Sequence, residues 1–224
     1  MRFILRWLIV LAVPLVLVMM VVRLLTLPWY PAWEYAKPNF PADPLGMSDA
    51  ERLRLARASI RFLNMPRGSG LLNDLTFDDG TPAYNEREIS HMDDVKLVYD
   101  QLTSAALLAF VVGAAAAWGL TKVADRASIW GAVSDGNLLT LCLLIGMGAW
   151  MLVGFDAFFT AFHGVFFEGG SWLFLYTDTL IRLFPIKLWQ DAGMLIAVIV
   201  GVAAFVLALL CRALQKRSRR MEGT

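Results

Sequence analysis

The chain's 224 residues are 58% hydrophobic and 17% charged, with a mean hydropathy of +0.59. That is too apolar for an ordinary soluble domain and fits a polytopic membrane protein. The net charge of +1 conceals a basic tail, Arg212, Lys216, Arg217, Arg219 and Arg220 against Glu222 alone, which reads as a topology signal and not as a nucleic-acid binder. Cys142 and Cys211 both lie inside apolar runs, which excludes a disulfide framework, a CxxC redox pair and a thiolate metal site and leaves them as small buried packing residues.

Residues 1–27 begin with Arg2 and Arg6 and continue as the apolar run Ile4 to Leu27. The run is too long for a secretory signal and no A-x-A site follows it, so an uncleaved spanning helix is predicted, kinked at Pro14 and with Arg23 snorkelling outward. Residues 28–101 are predicted as an extracytoplasmic loop domain. After a Pro-rich strip, "SDAERLRLARASIRFLN" opens on a Ser48/Glu51 capping box and places Leu53, Ala56, Ile60 and Leu63 on one helical stripe. This helix either packs on the rest of the outer domain or rests its basic face on anionic headgroups. "LTFDDGTPAYN" predicts a short β-hairpin turning at Asp79-Gly80. Its acidic residues lack the spacing of a calcium loop and read as a solvated turn.

From Ser90 the pattern becomes helical, with Ser90 and Asp93 as a cap-like S-x-x-D, and runs unbroken into an apolar segment at 102–120. His91, Asp94 and Val95 share a face of the part that projects from the bilayer. A basic loop follows at 121–137, then spanning helices at 138–159 and 192–211, the latter running into the tail at 212–224. Between these two helices, residues 160–191 form an outer connection crowded with aromatics, broken at Gly169-Gly170, in which Ser171 can cap an interfacial helix ending before Pro185. Basic residues flanking the helices (Arg2, Arg6, Lys122, Arg126 and the tail) put both termini inside. The fold class expected is therefore an all-α membrane protein with four transmembrane helices, N-in/C-in, and a substantial extracytoplasmic domain that contains an amphipathic helix and a short β-hairpin.

Both histidines, His91 and His163, fall on that outer side beside membrane-helix ends and near carboxylates. Imidazole is the side chain matched to proton transfer near neutral pH, so a histidine pair at a lipid boundary suits acid-base work on a lipid-attached group. Asp156 is an ionisable residue in a membrane segment, and if its helix persists to His163, Asp156, Thr160 and His163 line one face. HExxH, GxSxG and P-loop signatures are absent. Two histidines with Asp94 or Glu88 could hold a metal in principle.

"NEREISHMDDVK", with Glu88, His91, Met92, Asp94, Val95 and Lys96, resembles the motif before the second membrane helix of the bacterial lipoprotein intramolecular transacylases. "FHGVFFEGGSW" followed by "LFP", with Phe162, His163, Phe166, Phe167, Trp172 and Pro185, resembles that family's second motif. The resemblance implies a cell-membrane acyltransferase, without a cofactor, acting at the outer leaflet. It would move the sn-2 acyl chain of a lipoprotein's diacylglyceryl-cysteine to that cysteine's own α-amine. Its partners would be the lipidated N-terminus of diacylglyceryl lipoproteins and membrane lipids, with no nucleic acid. On this reading His163 is the principal base and His91 the second acid-base or orienting group. Glu88, Asp94 and Asp156 stand behind them, and Arg182 steadies an ester or headgroup oxygen. The alternatives are a non-enzymatic membrane scaffold binding a partner through the outer domain, or a small transporter with Asp156 as its ion site.

Overall fold

The computed structural model describes residues 1–66 and 70–222. These fold into eight α-helices: α1 (Arg2–Leu25), α2 (Trp29–Tyr35), α3 (Asp49–Leu63), α4 (Glu86–Val123), α5 (Arg126–Val153), α6 (Phe155–Phe166), α7 (Thr179–Leu183) and α8 (Ile186–Glu222). The four long ones, α1, α4, α5 and α8, are apolar enough to cross a membrane. At about 1.5 Å per residue the 38 residues of α4 reach far beyond the roughly 30 Å of a bilayer's hydrocarbon.

One compact unit comprises residues 1–22, 102–153 and 194–224. Its core joins Ile9 and Val10 of α1, Ala116 and Leu120 of α4, and Ala132 of α5. Small residues let α1 and α5 approach closely: a Cβ at Gly136 would stand 2.8 Å from the Val13 Cβ and 3.0 Å from the Val10 carbonyl. That carbonyl lies four residues before Pro14, which has no N–H to offer it. The sequence reading placed a loop at 121–137, but α5 already begins at Arg126. Asp125 caps it, accepting from the Ser128 N–H (2.8 Å). Ser134, Gly136, Asn137 and Thr140 lowered the apparent apolarity of this stretch, yet all are buried in the bundle, with Ser134 and Thr140 hydroxyls bonded to the Ala208 and Gly136 carbonyls. Cys211 is buried as expected, whereas Cys142 is exposed on its helix.

The second unit comprises residues 23–101 and 154–193. Its core gathers Leu55, Ala56 and Phe62 of α3, Leu72, Tyr84, Met92 of α4, and Leu180 and Leu183 of α7. Burying Leu55 and Leu183 completely contributes about 1.5–3 kcal/mol each. The buried face of α3 is Arg52, Leu55, Ala56, Ser59, Ile60 and Phe62, rotated from the predicted stripe and including an arginine. Arg52 donates to the Arg182 carbonyl (2.9 Å) and the Pro41 carbonyl (2.7 Å) and lies over the rings of Tyr35 and Phe40. The helix is thus packed on the outer unit. Ser48 caps it, accepting from the Glu51 N–H, but Glu51 does not close the box; its carboxylate accepts from the Asp78 N–H (2.6 Å). Around Asp79-Gly80 the expected hairpin reduces to one antiparallel bridge, Thr76 with Pro82.

Three further differences concern helix ends. The third spanning helix does not continue from 138 to 159: α5 stops at Val153, Gly154 is extended, and α6 starts afresh. The helix expected from Ser171 shrinks to α7, because residues from Gly169 (φ 62°) and Gly170 (φ 72°) up to Asp178 form turns and irregular chain. The cap before the second spanning helix is not Ser90/Asp93. Asn85 accepts from the Glu88 N–H (3.1 Å) while Glu88 accepts from the Asn85 N–H (3.0 Å), a reciprocal box one turn earlier.

Candidate active site

The first turn of α4 is fastened to the segment before and within α7. Glu88 is buried, and its second carboxylate oxygen accepts from the Leu180 N–H (2.7 Å), so a side chain from α4 caps α7. The Thr179 hydroxyl donates to the Ala83 carbonyl (2.5 Å), Asn85 donates to Asp178 (3.1 Å), and Arg87 donates to the Leu173 carbonyl (2.6 Å). Two turns further along α4, Lys96 is buried, donating to the Leu63 carbonyl at the end of α3 (3.2 Å) and pairing with Asp100 (3.3 Å). His91 sits between these two fastenings, so its backbone position is held from both sides.

The His91 ring is 8% exposed and packs edge-on against Phe167 (4.9 Å between centroids) and Phe174 (5.3 Å). Its Nδ1 is buried without a hydrogen-bond partner among the described residues. The charged groups near enough to act on it are His163 and Asp94. Asp94 is exposed, one turn along α4.

His163 lies near the end of α6 within an aromatic enclosure: Phe159 at 4.0 Å, Trp172 at 4.8 Å, Phe162 at 5.6 Å and Phe167 at 5.7 Å. Its Nδ1 is 2.7 Å from the Phe159 carbonyl. A carbonyl only accepts, so this bond places the proton on Nδ1 and leaves the Nε2 lone pair free. Burial holds the His163 imidazole below its ordinary value, opposed but not reversed by the Phe159 bond. Both imidazoles therefore touch one ring, Phe167, and His163 is poised neutral with a defined basic nitrogen.

The other expected site residues are placed differently. Asp156 is exposed in the first turn of α6. Although α6 holds Asp156 and His163 in one helix, the partner of the His163 Nδ1 is the Phe159 carbonyl four residues before it. Arg182 is not left free for an ester: Nε and Nη2 each donate at 2.9 Å to Asp43, whose side chain is fully buried. Asp43 also accepts from the Leu45 and Met47 N–H groups, and the Arg182 guanidinium beside it holds its carboxyl below the usual range. Glu88 is likewise engaged as a cap. Among the described residues no three His, Cys, Asp or Glu side chains are grouped to hold a metal ion.

The sequence reading missed Phe174, which walls His91, and Asp43, which claims Arg182. Phe174 stood in an aromatic run with nothing to separate it from its neighbours. Asp43 stood in a Pro-rich strip without periodicity. The Asn85/Glu88 box carried a readable signal, N-x-x-E ahead of a helical pattern.

Residues 7–189 match the family described as lipoprotein intramolecular transacylase Lit. An uncharacterised protein of Aquifex aeolicus (strain VF5) is 30% identical over 167 residues, covering 75% of this chain and 74% of that one. Among solved structures, the membrane integral lipoprotein intramolecular transacylase Lit from Bacillus cereus shares the fold with a TM-score of 0.72 at 16% identity, over 98% of both chains. A form of the same protein with one histidine replaced by arginine gives 0.69 at 17% identity, over 99% of this chain and 95% of that one.

Proposed function

Since the chain belongs to the lipoprotein intramolecular transacylase family, we propose that it transfers the sn-2 acyl chain of a diacylglyceryl-cysteine lipoprotein to that cysteine's own α-amine, with His163 as general base and His91 as its acid-base partner. The family assignment sets aside the scaffold and transporter alternatives. The observation that carries the two-histidine reading is that both imidazoles pack on Phe167 while His163 is anchored through Nδ1.

The α-ammonium of the lipoprotein, with an ordinary pKa of about 7.7–8.0, must become an amine before it can attack. His163 Nε2 takes a proton from that nitrogen. The amine nitrogen then bonds to the ester carbonyl carbon, and the carbonyl oxygen becomes an oxyanion. His91, which packs on the same Phe167 ring, hydrogen-bonds the reacting oxygens. Collapse breaks the bond from carbonyl carbon to glycerol oxygen. Of the two protons the nitrogen gives up, one ends on the glycerol hydroxyl and one leaves to solvent. Donor and acceptor belong to one molecule, so a protein nucleophile is unnecessary and holding amine against ester supplies much of the rate.

The basic flanks support an N-in, C-in chain in the bacterial cell membrane with the site on the extracytoplasmic side. That is the side on which exported lipoproteins display their lipidated N-terminus. Mass spectrometry of a lipoprotein N-terminal peptide from cells with and without the protein tests the reaction: an acyl chain moves from glycerol to amine only when it is present. His163→Gln and His91→Gln each abolish that product while the protein remains folded, and full activity in both would end the histidine mechanism. Asp74→Cys labelled and Arg217→Cys unlabelled by an impermeant maleimide in intact cells is the result expected of the orientation.

A further inference from the structure

Outside the candidate site, the first unit contains a cavity of about 300 Å³ bordered by Arg6 of α1, Gly131 and Asp135 of α5, and Arg212, Gln215 and Lys216 of α8. Three cations face one carboxylate there. Asp135 is taken by Arg6, and among the described residues neither Arg212 nor Lys216 has an acidic partner. Arg212, Gln215 and Lys216 recur at helical spacing, so they share one face of α8. The lining is hollowed deliberately by a glycine: a Cβ at Gly131 would stand 2.5 Å from the Gln215 Nε2 and 3.5 Å from the Arg6 Nη1. Ser134, also at the wall, spends its hydroxyl on the Ala208 carbonyl, so the donors left for a ligand are cationic or amide.

A basic tail that only set topology would need no cavity, since its charges could spread into solvent. Unpaired cations around an indentation between membrane helices instead create a site that an anion stabilises. The same stretch of α8 exposes Leu209, Leu210 and Leu214, an apolar flank along which acyl chains can lie. We infer that this cavity binds the phosphate of an anionic glycerophospholipid headgroup, with Arg212 and Lys216 supplying the charge and Gln215 and Arg6 the further donors. The site lies in the unit that does not contain the histidines, so it stands or falls separately from the acyl-transfer reading.

The test is native mass spectrometry of the full-length protein in detergent, titrated with phosphatidylglycerol or phosphatidylcholine. Wild type retains one phosphatidylglycerol with a preference of about tenfold. R212Q/K216Q loses that preference, and R219Q/R220Q, which removes equal charge from outside the cavity, keeps it. Because removing charge can alter insertion, Gly131→Val provides a second arm: it pushes Gln215 into the cavity, leaves every charge in place and lowers the preference. Equal binding of the two lipids, equal loss in R219Q/R220Q, or displacement of the lipid by inorganic phosphate at matched concentration would each overturn the assignment.

Discussion

The pair of Arg182 and Asp43 offers the sharpest test of which polar groups hold the site and which act in it. Asp43 is fully buried, Arg182 is 12% exposed, and the two are joined by paired 2.9 Å hydrogen bonds. Replacing Asp43 by Ala strands a buried guanidinium and two backbone N–H groups, a loss of about 3–5 kcal/mol for a broken buried ion pair. For a chain of this size that lowers the melting temperature by on the order of 10 °C. Tryptophan fluorescence melts of the purified protein in detergent, run beside lipoprotein peptide mass spectrometry, provide both readouts. Asp43→Ala and Arg182→Ala should fall together in melting temperature and in activity. The apolar double substitution D43L/R182L should recover a large part of the stability, since a buried pair is replaceable by packing. The pair's contribution is present above pH 3.8, the ordinary value of the aspartate, and is lost as pH falls through the lower folded-state value. If Arg182→Ala abolished transfer while Asp43→Ala stayed stable and fully active, Arg182 would be a substrate contact and the structural assignment wrong.

Three further outcomes are expected. His163 has a folded-state pKa below its ordinary value, so its basic form persists below pH 6.5; the acid limb of kcat/KM should therefore follow the substrate amine near pH 7.7–8.0, and His163→Gln should cost about 10²–10⁴ in rate at pH 7.5. Burial raises the Glu34 carboxyl, against the hydrogen bond from Lys37 and with Asp191 and Tyr30 close by. The folded state thus keeps a proton that the unfolded chain releases, and stability is lost as pH rises above about 4.5. The melting temperature of Glu34→Gln relative to wild type should accordingly be higher at pH 8.5 than at pH 4.5, and a flat or reversed difference would contradict this. Gly136→Ala forces a Cβ against Val13 and the Val10 carbonyl and should destabilise by about 1–3 kcal/mol, read as a lower melting temperature than for Gly146→Ala, where nothing stands within 4 Å.

The four long helices were legible because apolar length is a property of the chain alone, independent of neighbours. Their ends were not. Residues 126–137 contain Ser128, Ser134, Asp135 and Asn137, and hydropathy counts such residues against a helix even when they are satisfied inside a bundle. Ser134, for example, donates to the Ala208 carbonyl (3.2 Å). The face of α3 was misjudged for a related reason: a buried arginine is invisible to a binary pattern, since what permits it is a pair of carbonyls and two aromatic rings supplied by remote segments. That both histidines belong to the same unit was legible from their places in the chain. The carbonyl that orients His163 was not, because every helical residue has a carbonyl four positions before it, and only the ring's orientation in the folded chain selects the one at Phe159.

The charged residues around His91 acquire a different meaning once their partners are known. Glu88 is spent on the N-terminus of α7, Arg87 on the Leu173 carbonyl, and Lys96 on Asp100 and the end of α3. Apart from the Lys96–Asp100 pair within α4, each fastening ties α4 to another segment of the same unit, and the buried ones are costly to leave half made. These charges therefore fix the helix, and the imidazole it carries remains uncommitted at Nδ1. On α6 the division is the same: Phe159 and Phe167 build the enclosure, and the backbone under His163 consumes one nitrogen and frees the other. What the site leaves uncommitted is the Nε2 of His163 and the His91 imidazole, whose buried Nδ1 has no partner among the described residues. A reaction that needs only a proton acceptor and a hydrogen-bonding partner, with nucleophile and acyl group brought by the same lipoprotein, is one that such a spare pair can serve.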